Sequence, residues 1–435
     1  MALRVLRVCH GGRDPQHRGR ERALAGAGLD VTAIVPSYWP DEASERTLSP
    51  EPFRVIELPV RHAGDMNRHA PRDSSVLRRV IDEISPDVLD IHAEPFSVAA
   101  RHWLRAAPTE LPVLMYSAQN VDKRYPPPFS VYERAAHQRV VGFYPCCRQV
   151  ASVLRGKGFA GVIDVLPLGY DDGLFRPGEQ AIEAEELSLM IVGRLVPEKG
   201  IQDAVVSLAR VHSQRPARLV VIGEGPEKER ARVLATSLGV GDRVEFMPWQ
   251  TGPELALRYR AAHIVLIPSR PTTRWVEQFG RVIVEAQASG AVVAGYASGS
   301  IPEVAGEAGV LVDAGDAEQL GDEVARVVMD SDEFAWRRAA GLRQTATCTW
   351  QAVAARQIGL YQAVLTDKGS RVTLARSPRQ RRAAAQAEFG PTAATLAGVR
   401  PFALPVLRRG GRFADALGSV GDAANELRAR FTRRA

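Results

Sequence analysis

The chain has 435 residues and a mass of 47.4 kDa, about three times the length of a common single domain, so two domains are expected. Its 45% hydrophobic and 24% charged content is that of a globular protein and excludes a wholly disordered or collagen-like chain. The 56 Lys and Arg exceed the 50 acids, but residues 367–435 hold fourteen of those cations against five acids. The body before them is slightly acidic, so no nucleic-acid partner is expected, because a nucleic-acid footprint lies on the folded domains.

In chain order, a strand at 3–9 is followed by Gly11 and Gly12, an arginine-rich helix to about Gly28, and a strand at 31–36. Strand, glycine turn, helix and strand form the repeating unit of a parallel sheet. A strand at 87–91 ends at His92, and another at 112–116 ends at the run Ser117, Ala118, Gln119, Asn120. Ligands of open parallel sheets lie beyond the carboxyl ends of the strands. His10, His92, Gln119 and Asn120 are therefore the ligand-side candidates of this half. The proline-bearing run 166–177 marks a boundary. A second wound unit then begins with a strand at 187–192, a loop at 193–200 and a helix from Ile201. Strands at 218–222, 244–247, 264–267, 291–294 and 309–312 follow, separated by helix-length segments punctuated by glycine. Two such domains facing each other enclose a cleft.

A helical pattern runs over 350–365, after which residues 367–400, rich in Arg, Ala and Ser, read as a flexible linker. Beyond it, Phe413, Leu417, Val420, Ala424, Leu427 and Phe431 recur at steps of three and four, one apolar stripe on a helix, with Arg412, Arg428, Arg430, Arg433 and Arg434 beside it. A basic amphipathic helix can lie on an anionic membrane, and the same stripe can dock on its own protein or on a second copy. Gly418 and Gly421 weaken the helix in every case. The first twelve residues are too poor in apolar side chains for a secretion signal, and no apolar run is long enough to span a bilayer. A cytoplasmic protein is expected, with peripheral contact to the inner face of the cell membrane as one of the two readings of the tail. Four cysteines in this spacing give neither a disulfide framework nor a zinc site.

Chemistry concentrates in the second half. Gly193, Arg194 and the cation Lys199 before Gly200 sit between a buried strand and a helix. Glycines admit backbone N–H groups, a helix start offers partial positive charge, and two cations neutralise a diphosphate. A plain turn with solvated cations would give the same pattern, but Lys199 is one of only five lysines beside 51 arginines. Further on, Glu277 and Glu285 flank Phe279 and Gly280. A helix beginning near Gly280 and ending before Gly290 leaves Glu277 in the preceding loop and Glu285 in the second turn. Carboxylates so placed can accept hydrogen bonds from sugar hydroxyls, and the apolar neighbours of Glu285 imply that it is buried and partnered. The charged loop of Arg13, Asp14, His17, Arg18 and Arg20 reads as solvated, with a phosphate-bearing ligand as the alternative. Asp330-Ser-Asp332 reads as a polar turn, His62 and His69 as non-ligands, and Cys146-Cys147 as packing.

The segments GRLVPEKG, VVIGEGPEKERARVLA, RVEFMPW, EQFGRVIVEAQASGAVV and GSIPEVAGEAGVLVDAGD, in that order, resemble the retaining glycosyltransferases of family 4. The likeness is dense over 187–330 and looser over 1–186, and it does not reach the tail. It implies the GT-B fold: two facing Rossmann-like α/β domains, 1–175 and 176–348, a helix at 349–366 crossing back to the first domain, and a basic tail at 367–435. It further implies that Arg194, Lys199 and Glu277 act on a nucleotide diphosphate sugar, the donor substrate. In that picture Glu285 meets the ribose, the amides of Phe279, Gly280, Arg281, Gly11 and Gly12 line the phosphates and sugar, and the segment with Met247 borders the base. The acceptor side would include His10, His92, Gln119 and Asn120. No cofactor and no metal is implied, and the acceptor is a glycan, a lipid-linked sugar or a small molecule. Gln119 stands where many relatives have a histidine, so it can hydrogen-bond but not titrate near neutral pH. A nucleotide-sugar 2-epimerase and a non-catalytic nucleotide-sugar binder of the same fold are the alternatives.

Overall fold

A computed structural model describes residues 2–40, 47–178, 185–366, 371–374 and 377–391. Two all-parallel sheets organise them. The first has seven strands in the order Arg54–Leu58, Asp30–Pro36, Arg4–Cys9, Val88–His92, Val113–Ser117, Gly142–Pro145 and Val162–Ile163. The second has six: Val244–Met247, Ala217–Ile222, Leu187–Val192, Ile264–Ile267, Val292–Tyr296 and Val310–Val312. Numbering each sheet's strands in chain order, both read third, second, first, fourth, fifth, sixth, and the first sheet adds its seventh beyond the sixth, the doubly wound arrangement. Helices cover both faces, so central strands such as Leu187–Val192 and Ile264–Ile267 are fully buried and apolar but for Ser188. In each sheet the order reverses between the first and fourth strands. The loops after Arg4–Cys9 and Val88–His92, and those after Leu187–Val192 and Ile264–Ile267, therefore open into the crevices where ligands bind.

The helix Trp350–Thr366 packs on the first domain. Its Ala354, Leu360, Tyr361 and Val364 pack with Val5, Leu24, Val88 and Tyr144. A buried polar network fixes it there. Arg7 donates to Glu21 at 2.7 Å and to Asp90, and Asp90 also accepts from Gln357 and from the hydroxyls of Tyr361 and Tyr144. Burial opposes the charge of Arg7, but the two carboxylates outweigh it and hold the guanidinium above its ordinary range. Trp350 is wedged between Gly19 and Gly169, where an added Cβ would lie 2.0 and 2.1 Å from its ring.

Two expectations are corrected here. The arginines of the first loop are not solvated: Arg13, Arg18 and Arg20 are each at most 3% exposed. Arg13 pairs with Glu57, Arg18 with Glu51 at 2.8 Å and the Gly12 carbonyl at 2.7 Å, and Arg20 with Gln357 at 2.9 Å. Their side-chain partners lie 33 to 337 residues away, beyond the reach of local pattern. Within the expected linker 367–400 stands the helix Pro378–Phe389, capped by Ser377 and packed on the helix Arg148–Gly156. Arginine and alanine, which gave the stretch its low-complexity look, are also strong helix formers. The basic stripe at 412–434 lies outside the described residues.

Candidate active site

The switch point of the second sheet gathers Gly193, Arg194, Lys199, Ser269, Glu277 and Gly280 around one cleft. A short turn, Pro197–Lys199, ends at Gly200, whose φ of +67° and approach to Pro268 leave no room for a side chain; a Cβ would stand 2.0 Å from the Pro268 carbonyl oxygen. That turn aims Lys199 across the cleft. Its Nζ lies 2.6 Å from Glu277 Oε2 and 5.1 Å from the Trp275 ring centre. Ser269 Oγ donates to the same carboxylate oxygen at 3.0 Å. Arg194 lines the same cleft, is exposed, and makes no side-chain ion pair or hydrogen bond among the described residues. One cation is therefore committed to a carboxylate while the other is available to an anion.

The helix Arg281–Ala288 begins at Gly280, in left-handed conformation with φ +79°, and no side chain caps it. Its first N–H groups carry the partial positive charge of a helix start, and Gly280 and Val282 line the cleft. Glu285 sits one turn deeper. Tyr259 donates to it at 3.2 Å, Arg281 approaches to 3.6 Å, and burial raises its carboxyl above the usual range. The expected partnering of Glu285 is thus met by Tyr259, a residue that sequence reasoning did not single out. Phe279 turns its ring into the core, leaving its backbone at the cleft. Met247 ends an edge strand beside the exposed Trp249.

Across the cleft, the first domain offers Gly11 and Gly12 in the turn His10–Arg13, where their carbonyls accept from His17 and Arg18. His10 follows the strand Arg4–Cys9, and His92 is the last residue of the adjacent strand, paired with Cys9. Burial, aided by His69 and His17, pushes His10 down to about 3; burial, aided by nearby arginines, pushes His92 well below its ordinary value. Both rings are uncharged at neutral pH. His10 packs with Trp39 and His69 at 5.4 and 5.2 Å between ring centres, and His92 stacks on Tyr116 at 4.0 Å. Gln119 bonds the Val121 carbonyl at 2.9 Å. Asn120 is buried and reaches the other domain, donating to the Glu277 carbonyl at 2.8 Å. Ser269, Trp275 and Ser300, which also touch Glu277 or Lys199, had no signal in the sequence beyond their loops. Asp330 caps the helix Ser331–Thr345, consistent with the polar turn expected there. Among the described residues no cluster of three His, Cys, Asp or Glu is arranged to hold a metal ion, and no helix is long and apolar enough to cross a membrane.

Two doubly wound domains with the polar constellation in the crevice of the second define the GT-B class of glycosyltransferase folds. Anabaena HepE, solved in complex with UDP, superposes with a TM-score of 0.64 at 16% identity, covering 83% of this chain and all of that one. Residues 176–342 match the family model of glycosyl transferases group 1, and residues 18–169 match the glycosyl transferase 4-like domain. The chain belongs to glycosyltransferase family 4. A D-inositol 3-phosphate glycosyltransferase of Segniliparus rotundus is 35% identical over 47% of this chain and 47% of its own length. A GDP-mannose-dependent alpha-(1-6)-phosphatidylinositol monomannoside mannosyltransferase of Mycobacterium tuberculosis is 32% identical over 45% of this chain and 54% of its own. The chain spans about half the length of these curated relatives.

Proposed function

We propose that this protein transfers a glycosyl group from a nucleoside diphosphate sugar to an acceptor hydroxyl with retention at the anomeric carbon. The observation that carries the reading is the Lys199–Glu277 pair at 2.6 Å, in a cleft also lined by the exposed Arg194 and by Gly280 at the uncapped start of the helix. A diphosphate entering this cleft meets Arg194, the N–H groups of Arg281 and Val282, and the ammonium of Lys199. As the glycosidic bond loosens, negative charge grows on the departing phosphate oxygen, and these groups are already oriented to receive it. Glu277, with one oxygen held by Lys199 and Ser269, has its second oxygen for a donor-sugar hydroxyl. The sugar becomes oxocarbenium-like, and the acceptor hydroxyl attacks from the face the phosphate leaves, giving its proton to that phosphate. Neutral His10 and His92 can orient an acceptor by hydrogen bonding.

The relatives' names join a GDP-mannose donor to inositol-bearing acceptors, so GDP-mannose, UDP-glucose, inositol phosphates and inositol lipids are the first substrates to try. The test is a thermal-shift panel of nucleoside diphosphates and their sugars on wild type and Lys199→Ala. A ligand at a hundred times its dissociation constant adds about 2.7 kcal/mol. A shift in the wild type that the variant loses supports the donor site. Conversion of the sugar nucleotide to an epimer without any acceptor would overturn transfer as the activity.

A further inference from the structure

The loop that carries Glu277 belongs to the second domain, but the first domain holds its backbone. Asn120, 1% exposed, donates its amide to the Glu277 carbonyl at 2.8 Å, and that carbonyl also accepts from Ser300 N at 3.1 Å and Ser300 Oγ at 3.2 Å. On one side Val276 packs against Val121, both buried. On the other, the thiols of Cys146 and Cys147 lie 3.6 and 3.4 Å from the Gln278 carbonyl. Three consecutive residues of the donor loop are thus gripped by two segments of the opposite domain. The gripping segment is itself braced, because the half-buried Glu94 accepts from Ala118 N at 2.7 Å and Ser117 Oγ at 2.8 Å. Gln119, the acceptor-side candidate, is the residue immediately before Asn120.

The donor loop has reason to need such a hold. No regular helix or strand lies between Ile267 and Arg281, and a segment of that length keeps a side chain in one place only if its backbone is anchored. We propose that Asn120 is a positioning residue that couples the acceptor-side segment 117–121 to the donor-side carboxylate of Glu277, so that the Lys199–Glu277 pair is in register only when the two domains are closed. The proposal rests on the transfer reading for the role of Glu277. Donor binds chiefly to the second domain, so loss of the Asn120 contact lowers turnover rather than donor affinity. It is also a mild lesion for folding, since Ser300 still satisfies the carbonyl.

The test uses Asn120→Ala and Asn120→Asp in the full chain. Asp keeps the shape but presents oxygens to a carbonyl oxygen, so it separates hydrogen-bond donation from packing. Nucleoside diphosphate release from GDP-mannose and UDP-glucose is measured beside Glu277→Gln. Both Asn120 variants are expected to lose at least tenfold in kcat with donor KM within threefold of wild type. A second readout needs no turnover. Iodoacetamide labelling of Cys146 and Cys147, read by mass spectrometry with Cys9 and Cys348 as internal references, is expected to quicken at least threefold in both variants. A Glu277→Gln enzyme that works as wild type would sink the transfer reading of that residue. Labelling unchanged in both Asn120 variants, or Asn120→Asp behaving as wild type while Asn120→Ala does not, would sink the coupling itself.

Discussion

Lys199 and Glu277, 78 residues apart in the chain, meet at 2.6 Å across the mouth of the second domain's crevice. The side chains are 26% and 10% exposed, so each is partly withdrawn from water and the contact is less screened than a surface pair. On the proposed reading, Lys199→Ala removes a charge-assisted contact to a donor phosphate worth about 1.5–3 kcal/mol, and it leaves Ser269 as the remaining donor to Glu277 Oε2 among the described residues. Turnover should fall at least tenfold while circular dichroism and the melting midpoint stay near wild type. Lys199→Arg keeps the charge but not the compact head, and should recover only part of the rate. Near wild-type turnover in Lys199→Ala would remove this lysine from the mechanism.

The crossing helix depends on a buried ion pair. Arg7 and Asp90 are at most 1% exposed, and Gln357 and Tyr361 of the crossing helix bond the same carboxylate. Replacing one member of a buried pair strands the other charge, at a cost of about 3–5 kcal/mol. Arg7→Met should therefore destabilise strongly. Tyr361→Phe, which removes one of several donors to Asp90, should cost about 1 kcal/mol. Urea unfolding followed by fluorescence and far-ultraviolet circular dichroism ranks the two, and equal midpoints would show that the network contributes nothing to holding the helix.

His137 gives the stability a pH dependence of known sign. It is packed edge-on against Phe143 and Phe159, and its Nε2 has no hydrogen-bond partner among the described residues. Burial, with Lys157 adding to it, pushes the ring down to about 3. The unfolded chain takes up a proton near the ordinary value of about 6.5 while the folded chain does not, so stability drains as pH falls from there toward 3. Between pH 6 and 4.5 the wild type should lose about 2 kcal/mol relative to His137→Phe. Unfolding curves of both proteins at the two pH values check this; parallel losses would show that His137 titrates normally.

Much of this architecture is written in local pattern. The strands Leu187–Val192, Val244–Met247 and Ile264–Ile267 fall where their apolar runs end, and Gly193, Gly200 and Gly280 mark the turns that aim Lys199 and open the helix. The missed strands have physical excuses. Arg54–Leu58 is a half-exposed edge, Gly142–Pro145 is short and bounded by glycine and proline, and Val162–Ile163 is two residues long. Long-range partnerships were invisible: nothing around Asn120 announces Glu277, and nothing around Arg18 announces Glu51. The arginines of the first loop looked like solvated charge for that reason, whereas burial and distant carboxylates decide their role.

The helix Pro378–Phe389 is the clearest instance of composition misleading pattern, and it makes a separable prediction. It covers the helix Arg148–Gly156, whose residues from Gln149 to Gly156 are all buried. Arg382 Cγ lies against Gly156, Arg382 Nε bonds Asp122 at 2.7 Å, and Glu388 pairs with the nearly buried Arg155 at 3.4 Å. Cutting the chain after Thr366 uncovers this face and leaves Arg155 with one ion-pair partner fewer. Cutting after Gly390 keeps every one of these contacts. The shorter form should melt at least about 4 °C lower, which corresponds to one or two kcal/mol in domains of this size, while the longer form keeps the full-length midpoint. Equal midpoints in all three proteins would mean that the helix rests on the domain without stabilising it; an equal drop in both truncations would move the stabilising contact beyond Gly390.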